Sequence, residues 1–179
     1  MKMFKLSRTR WNVLIVVILA AGLAWTAASR VTTDQATRDR ARRATPDLTL
    51  DTLDGGKFKL SDQIGKPVVV NFWATWCPPC RAEFPALEDV YKNNRDKGLV
   101  VVGVDVAESP EVVAKFVSEA GVTFPIALDV SGEATELYRI EGMPTTFFIG
   151  RDGKIKDTVI GGPLTKAAIE SKVNDLLVR

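Results

Sequence analysis

Trp76-Cys77-Pro78-Pro79-Cys80 constrains this chain more than any other stretch, because it stands where a strand turns into a helix. Pro67 to Phe72 is a nearly continuous apolar run, the pattern of a strand buried on both faces. From Pro79 to Asn94 the periodicity is helical, with Phe84, Leu87, Val90 and Tyr91 on one face. At such a junction the first Cys lies at a helix N-terminus, where unpaired N–H groups and the helix dipole favour a thiolate. Cys80, one turn later, points inward and can attack a mixed disulfide formed at Cys77. Pro79 suits the first turn, where its missing N–H is not needed. A lone C-x-x-C also arises in metal sites; the strand-to-helix position, the preceding Trp and the internal prolines point to thiol–disulfide exchange.

Two cysteines and no histidine exclude several chemistries. A structural zinc site needs about four Cys or His ligands. A c-type haem attachment site needs His after the second Cys, and here Arg81 follows Cys80. Cys–His and Ser–His catalysis both require an imidazole. A disulfide closing two intervening residues staples almost no chain. With 46% hydrophobic and 26% charged residues the chain is globular in composition, and a net charge of +2 gives no reason to expect nucleic acid as a partner.

The rest of the domain reads as α/β. Asp47 to Leu50 and Lys57 to Leu60 alternate around Asp54-Gly55-Gly56, a hairpin signal. Leu99 to Val106 is a second buried-type strand. Ser109-Pro110 reads as an N-cap and first helical residue of a helix to about Ala120. A strand over Phe124 to Asp129 and a helix over Glu133 to Tyr138 follow. Thr145 to Ile149 and Ile155 to Ile160 flank the turn Arg151-Asp152-Gly153-Lys154, and an amphipathic helix over Pro163 to Val178 closes the chain. This order predicts a mixed sheet covered by helices on both faces.

The N-terminus carries a membrane signal. Lys2, Lys5, Arg8 and Arg10 precede an apolar run from Trp11 to Ala28, close to the ~20 residues that cross a bilayer. Residues 1–28 are expected to be an uncleaved anchor, with a cleaved signal peptide as the alternative. Residues 29–45 read as a polar linker or an Arg- and Ala-rich stalk, and 46–179 as the folded domain. Arg30, Arg38, Arg40, Arg42 and Arg43 blur the charge asymmetry that sets orientation. Signal-like placement favours the domain on the extracytoplasmic side.

Asn71-Phe72-Trp73-Ala74-Thr75-Trp76-Cys77-Pro78-Pro79-Cys80, Pro85 inside the following helix and Gly142-Met143-Pro144-Thr145-Thr146 together resemble the thioredoxin superfamily. More narrowly, they resemble its TlpA/ResA-type membrane-anchored thiol–disulfide oxidoreductases. The resemblance runs from Pro46 to the C-terminus and implies a thioredoxin fold with an N-terminal β-hairpin and a central αβ insertion between Val106 and Asp129. It implies a cis Pro144 that leaves the Met143 backbone free to pair with an extended substrate. Trp76, Pro78, Met143, Pro144 and Thr145 are the candidate substrate-binding residues. Trp73 has both a core and a substrate-facing reading. Asn71 stands where thioredoxin carries a buried, titrating Asp. The resemblance transfers the acid/base role to Glu83, three residues after Cys80, where burial would raise its pKa; a solvated glutamate in the first helix turns is the plainer reading.

Cys77, Cys80 and Glu83 are therefore the candidate catalytic residues. No cofactor or metal is expected beyond the redox-active cysteine pair. The resemblance implies a reductant of protein disulfides outside the cytoplasm, supplied by a membrane thiol-transfer donor. Its implied substrates are apocytochrome c or copper-site assembly proteins. A disulfide-forming oxidant is the alternative, although such proteins favour a histidine between the cysteines. Peroxidase chemistry is disfavoured by Ala74, where peroxiredoxins have Thr. A copper carrier would have only Met143 beside the thiols.

Overall fold

The computed structural model describes residues 45–178. The anticipated membrane segment, and all but the last residue of the anticipated linker, lie outside these residues. Among the described residues no helix is long and apolar enough to cross a membrane.

Seven strands and four α-helices follow in the order β1 (Thr49–Thr52), β2 (Lys57–Lys59), β3 (Val68–Trp73), α1 (Pro78–Asn94), β4 (Val100–Val106), α2 (Pro110–Ala120), β5 (Ile126–Asp129), α3 (Glu133–Leu137), β6 (Thr145–Ile149), β7 (Ile155–Ile160) and α4 (Lys166–Val178). They form one sheet in the order β2-β1-β5-β4-β3-β6-β7. The pairs β3–β4 and β4–β5 are parallel and each is joined by a helix, as parallel neighbours require. The remaining pairs are antiparallel. This is the thioredoxin fold expected, with its hairpin and its insertion. The insertion contributes α2 and β5, and β5 is the strand that couples the β1–β2 hairpin to the centre of the sheet.

Every residue of β3 is buried, which explains why its sequence shows no alternation. Val69 and Trp73 face one core layer with Phe84, Leu87, Val101, Phe124, Ile169 and Val173. Val68, Val70 and Phe72 face the other, with Leu48, Val102, Val104, Tyr138 and Phe147. Trp73 is fully buried, 4.5 Å from Phe84 and 5.2 Å from Phe116 between ring centroids. It is therefore core, and burying such side chains contributes about 1.5–3 kcal/mol each.

Two boundaries differ from expectation. β1 begins at Thr49 rather than Asp47, because Asp47 uses its carboxylate to accept the Ser61 N–H at 2.9 Å. The last helix begins at Lys166 rather than Pro163. The Gly162–Pro163 peptide is cis, and Thr165 starts the helix by accepting the Ala168 N–H on its hydroxyl at 3.3 Å. Ser109 does occupy the N-cap position of α2, but through its carbonyl, which accepts from Val112 and Val113; its hydroxyl makes no capping bond.

Candidate active site

The Cys pair sits at the first turn of α1 because of what its prolines lack. A helix start leaves four N–H groups without intrahelical partners, but Pro78 and Pro79 have none to leave. The Cys80 N–H donates to Cys77 Sγ at 3.3 Å and the Arg81 N–H to the Cys77 carbonyl at 3.1 Å. The helix N-terminus is thus aimed at the Cys77 sulfur, the arrangement that stabilises a thiolate there. The two cysteines form a disulfide, with Cα atoms 5.3 Å apart. Cys80 is inaccessible, whereas Cys77 retains slight exposure. That asymmetry suits Cys77 to attack and Cys80 to resolution.

Glu83 is fully buried beneath this turn. Asn71 donates its amide to Glu83 Oε1 at 2.7 Å and to Thr146 Oγ1 at 2.9 Å. The Leu164 N–H donates to Glu83 Oε2 at 2.9 Å. Burial raises the pKa of Glu83 and outweighs the two hydrogen bonds, from Leu164 and Asn71, that favour its charged form. The solvated-glutamate reading is thereby corrected: the apolar side of α1 carries this residue inward with Cys80 and Phe84. Asn71 cannot titrate itself, but it holds the residue that can.

The Met143–Pro144 peptide is cis, as the resemblance implied. The Pro144 carbonyl accepts the Gly161 N–H at 2.7 Å, so the segment after β7 closes over the cis-proline loop. A Cβ on Gly162 would stand 2.7 Å from Pro144 Cγ and 2.9 Å from Glu83 Oε2. Glycine is what lets this segment approach both and bring the Leu164 N–H onto Glu83. Thr145 is buried and its hydroxyl donates to the Gly142 carbonyl at 2.6 Å, so its side chain shapes the loop. Met143 is half-buried, Pro78 is exposed and Trp76 is 65% exposed beside Cys77. Trp76 and Pro78 thus stand open to a partner at the cysteine turn.

Three participants escaped the sequence reading. Leu164 acts through its backbone and leaves no signal in its side chain. Glu108 accepts the Thr75 N–H at 2.5 Å and the Thr75 O–H at 2.6 Å, tying the loop ahead of Cys77 to the segment after β4. Asp105, next to it, is the acidic residue in an otherwise apolar strand, and that misfit was the available clue. Among the described residues no cluster of three or more His, Cys, Asp or Glu side chains is placed to hold a metal ion.

Comparison with known proteins agrees with this geometry. The AhpC/TSA family model matches residues 41–158. The thiol-disulfide oxidoreductase ResA of Oceanobacillus iheyensis is 38% identical over 90% of this chain and 85% of its own length. Among solved structures, a thiol:disulfide interchange protein of the thioredoxin family from Chlorobium tepidum superposes with a TM-score of 0.67. It is 32% identical over 75% of this chain and 95% of that one. StoA from Bacillus subtilis gives 0.64 at 30% identity, covering 73% of this chain and 99% of its own. The chain belongs to the AhpC/TSA family and, within it, to the ResA-type thiol–disulfide oxidoreductases of thioredoxin fold.

Proposed function

We propose that this oxidoreductase works as a reductant of protein disulfides outside the cytoplasm, tethered through the apolar run Trp11 to Ala28. The observation that supports this direction is the set of charged and polar groups around the cysteine pair. A strong oxidant owes its potential to a stabilised reduced form. Here no imidazole exists in the chain, and the neighbouring cation, Arg81, lies over the Phe116 ring at 5.5 Å. A buried carboxyl, Glu83, stands one helical turn from Cys80 and opposes further negative charge. Beyond the helix N-terminus, then, no cationic side chain adds support to the reduced pair, which favours giving its electrons away.

The cycle follows from the site. Cys77 thiolate attacks a substrate disulfide and expels one substrate sulfur as thiolate, which takes up a proton. Glu83 accepts the proton of Cys80, whose thiolate attacks Cys77 Sγ, closes the Cys77–Cys80 disulfide and releases the second substrate thiolate. Trp76, Pro78 and the Met143–Pro144 backbone hold the substrate segment. A membrane thiol-transfer protein then returns two electrons. The haem-attachment cysteines of apocytochrome c are the proposed substrate class, with copper-site assembly proteins as the second.

The test is the reduction potential of the full chain in detergent, equilibrated against thiol buffers. A value near or below thioredoxin's ~−270 mV is expected, together with reduction of an oxidised C-x-x-C-H peptide. A value near the ~−120 mV of strong oxidants reverses the direction and makes the chain a disulfide former.

A further inference from the structure

Among the described residues the exchange chemistry leaves three buried acids unused, Glu88, Asp105 and Asp129, and the carboxylates of Glu88 and Asp129 are each held by N–H and O–H donors. Asp105 lies near the C-terminal end of β4, in register with Trp73 of β3 and on the same face of the sheet. It is 1% exposed, and among the described residues no well-aligned hydrogen bond reaches either carboxyl oxygen, the Glu108 backbone N–H being the group that favours its charged form. An ionised carboxylate so placed would be desolvated with little beyond the Glu108 backbone N–H to offset the cost. A protonated one has a remedy, because it becomes a donor. Its available acceptor is Glu108, on the segment joining β4 to α2. Asp129 of β5, the other nearby carboxyl, is already filled by the Ala134 N–H, the Thr135 N–H and the Thr135 O–H at 3.0, 2.8 and 2.6 Å. β3 contributes the uncharged Trp73 indole to this surrounding.

We propose that Asp105 is a positioning residue for thiol–disulfide exchange: it shares a proton with Glu108, and the pair clamps the Thr75 N–H and O–H two residues ahead of Cys77. With the proton present, one negative charge is spread over two carboxyls and Glu108 stays where Thr75 needs it. With the proton gone, two carboxylates face each other in a partly buried site and push apart. Glu108 then withdraws from Thr75, and the loop carrying Trp76 and Cys77 loses its anchor. The direction of titration agrees with this geometry. Burial, then the Glu108 carboxyl, and last the charge of Asp129 push Asp105 up to about 8, against the opposing pull of the Glu108 backbone N–H. The clamp is therefore closed at neutral pH and opens in mildly alkaline solution. It acts on exchange in either direction, so its failure and that of the proposed reductant role are separate results.

The test uses the full chain in its disulfide form, where neither cysteine titrates, labelled with 15N-threonine. The Thr75 amide resonance is expected to move with a midpoint near pH 8 in the wild type and to stay still in Asp105→Asn, which keeps the shape and a permanent donor. A second measurement reads catalysis. At pH 9 about one tenth of wild-type molecules hold the proton if the midpoint is near 8. The ratio of Asp105→Asn to wild-type exchange rates on a disulfide-bonded peptide should therefore rise up to about tenfold between pH 6.5 and 9. A Thr75 resonance that does not titrate, an unchanged midpoint in the variant, or a constant rate ratio each overturns the proposal.

Discussion

Glu83 illustrates how much one side chain depends on its neighbours. Its two oxygens accept from Asn71 and Leu164, groups far apart in sequence, and the approach of the second depends on the absent side chain of Gly162. These bonds lower the cost of ionisation without removing it, so burial leaves the carboxyl titrating above the ordinary range, which suits it to take and return the Cys80 proton. Glu83→Gln preserves size and can be accommodated, because the Asn71 Oδ1 has no partner and its amide can turn to accept from the new NH2 group. The variant is expected to fold and to slow single-turnover exchange by about 10²-fold, the lower end of acid/base contributions. It should also lose the pH-dependent step that Glu83 supplies. Stopped-flow rates between pH 5 and 9 decide it; a profile that keeps the wild-type shape removes Glu83 from the chemistry.

At the scale of the element, the start of α1 sets the redox poise. Its two prolines supply neither N–H nor charge, so the Cys80 N–H and the helix dipole are what support the Cys77 sulfur. Pro79→His adds an N–H and an imidazole at the second helical position. Interactions with a helix terminus or a nearby charge are worth roughly 0.3–2 kcal/mol. At 30 mV per 1.4 kcal/mol, the potential should rise by roughly 6–40 mV against glutathione buffers; a fall would mean that imidazole does not support the thiolate here. The elements themselves were legible because their signals are local. The nearly continuous apolar runs of β3 and β4 and the Gly55 and Gly153 turns each announce an element within a few residues. Thr165 as helix start was missed because Pro163 has the same preference for a first turn, and only the segment's closure over Pro144 decides between them. At the site, Cys77, Cys80 and Glu83 share one helix and could be read together. Asp105, Glu108 and Leu164 come from other segments, and only the folded sheet brings them to the cysteine turn.

Among the described residues, two buried acids contribute a pH dependence of opposite sign to the usual case, which Glu88 follows. A paired carboxylate normally has a depressed pKa, and its contribution is lost as pH falls. Glu83 and Asp105 are both raised, so between the unfolded carboxylate range near pH ~4 and their folded values the native state binds more protons than the unfolded one. The contribution of these two groups to stability then falls as pH rises through that window. For Asp105 the window runs from about pH 4 to about pH 8, and a tenfold fall in proton concentration within it costs the fold at most about 1.4 kcal/mol. The strain is placed where the molecule can least absorb it, on β4 between β3 and β5, and β5 alone joins the β1–β2 hairpin to the centre of the sheet. Asp105→Asn removes this load at every pH above the unfolded value. Its urea midpoint should match the wild type near pH 4 and exceed it by a margin that grows up to pH 8 and is constant beyond. A margin that is the same at pH 5 and pH 8.5 would mean that Asp105 is ionised throughout and that the sheet tolerates its charge.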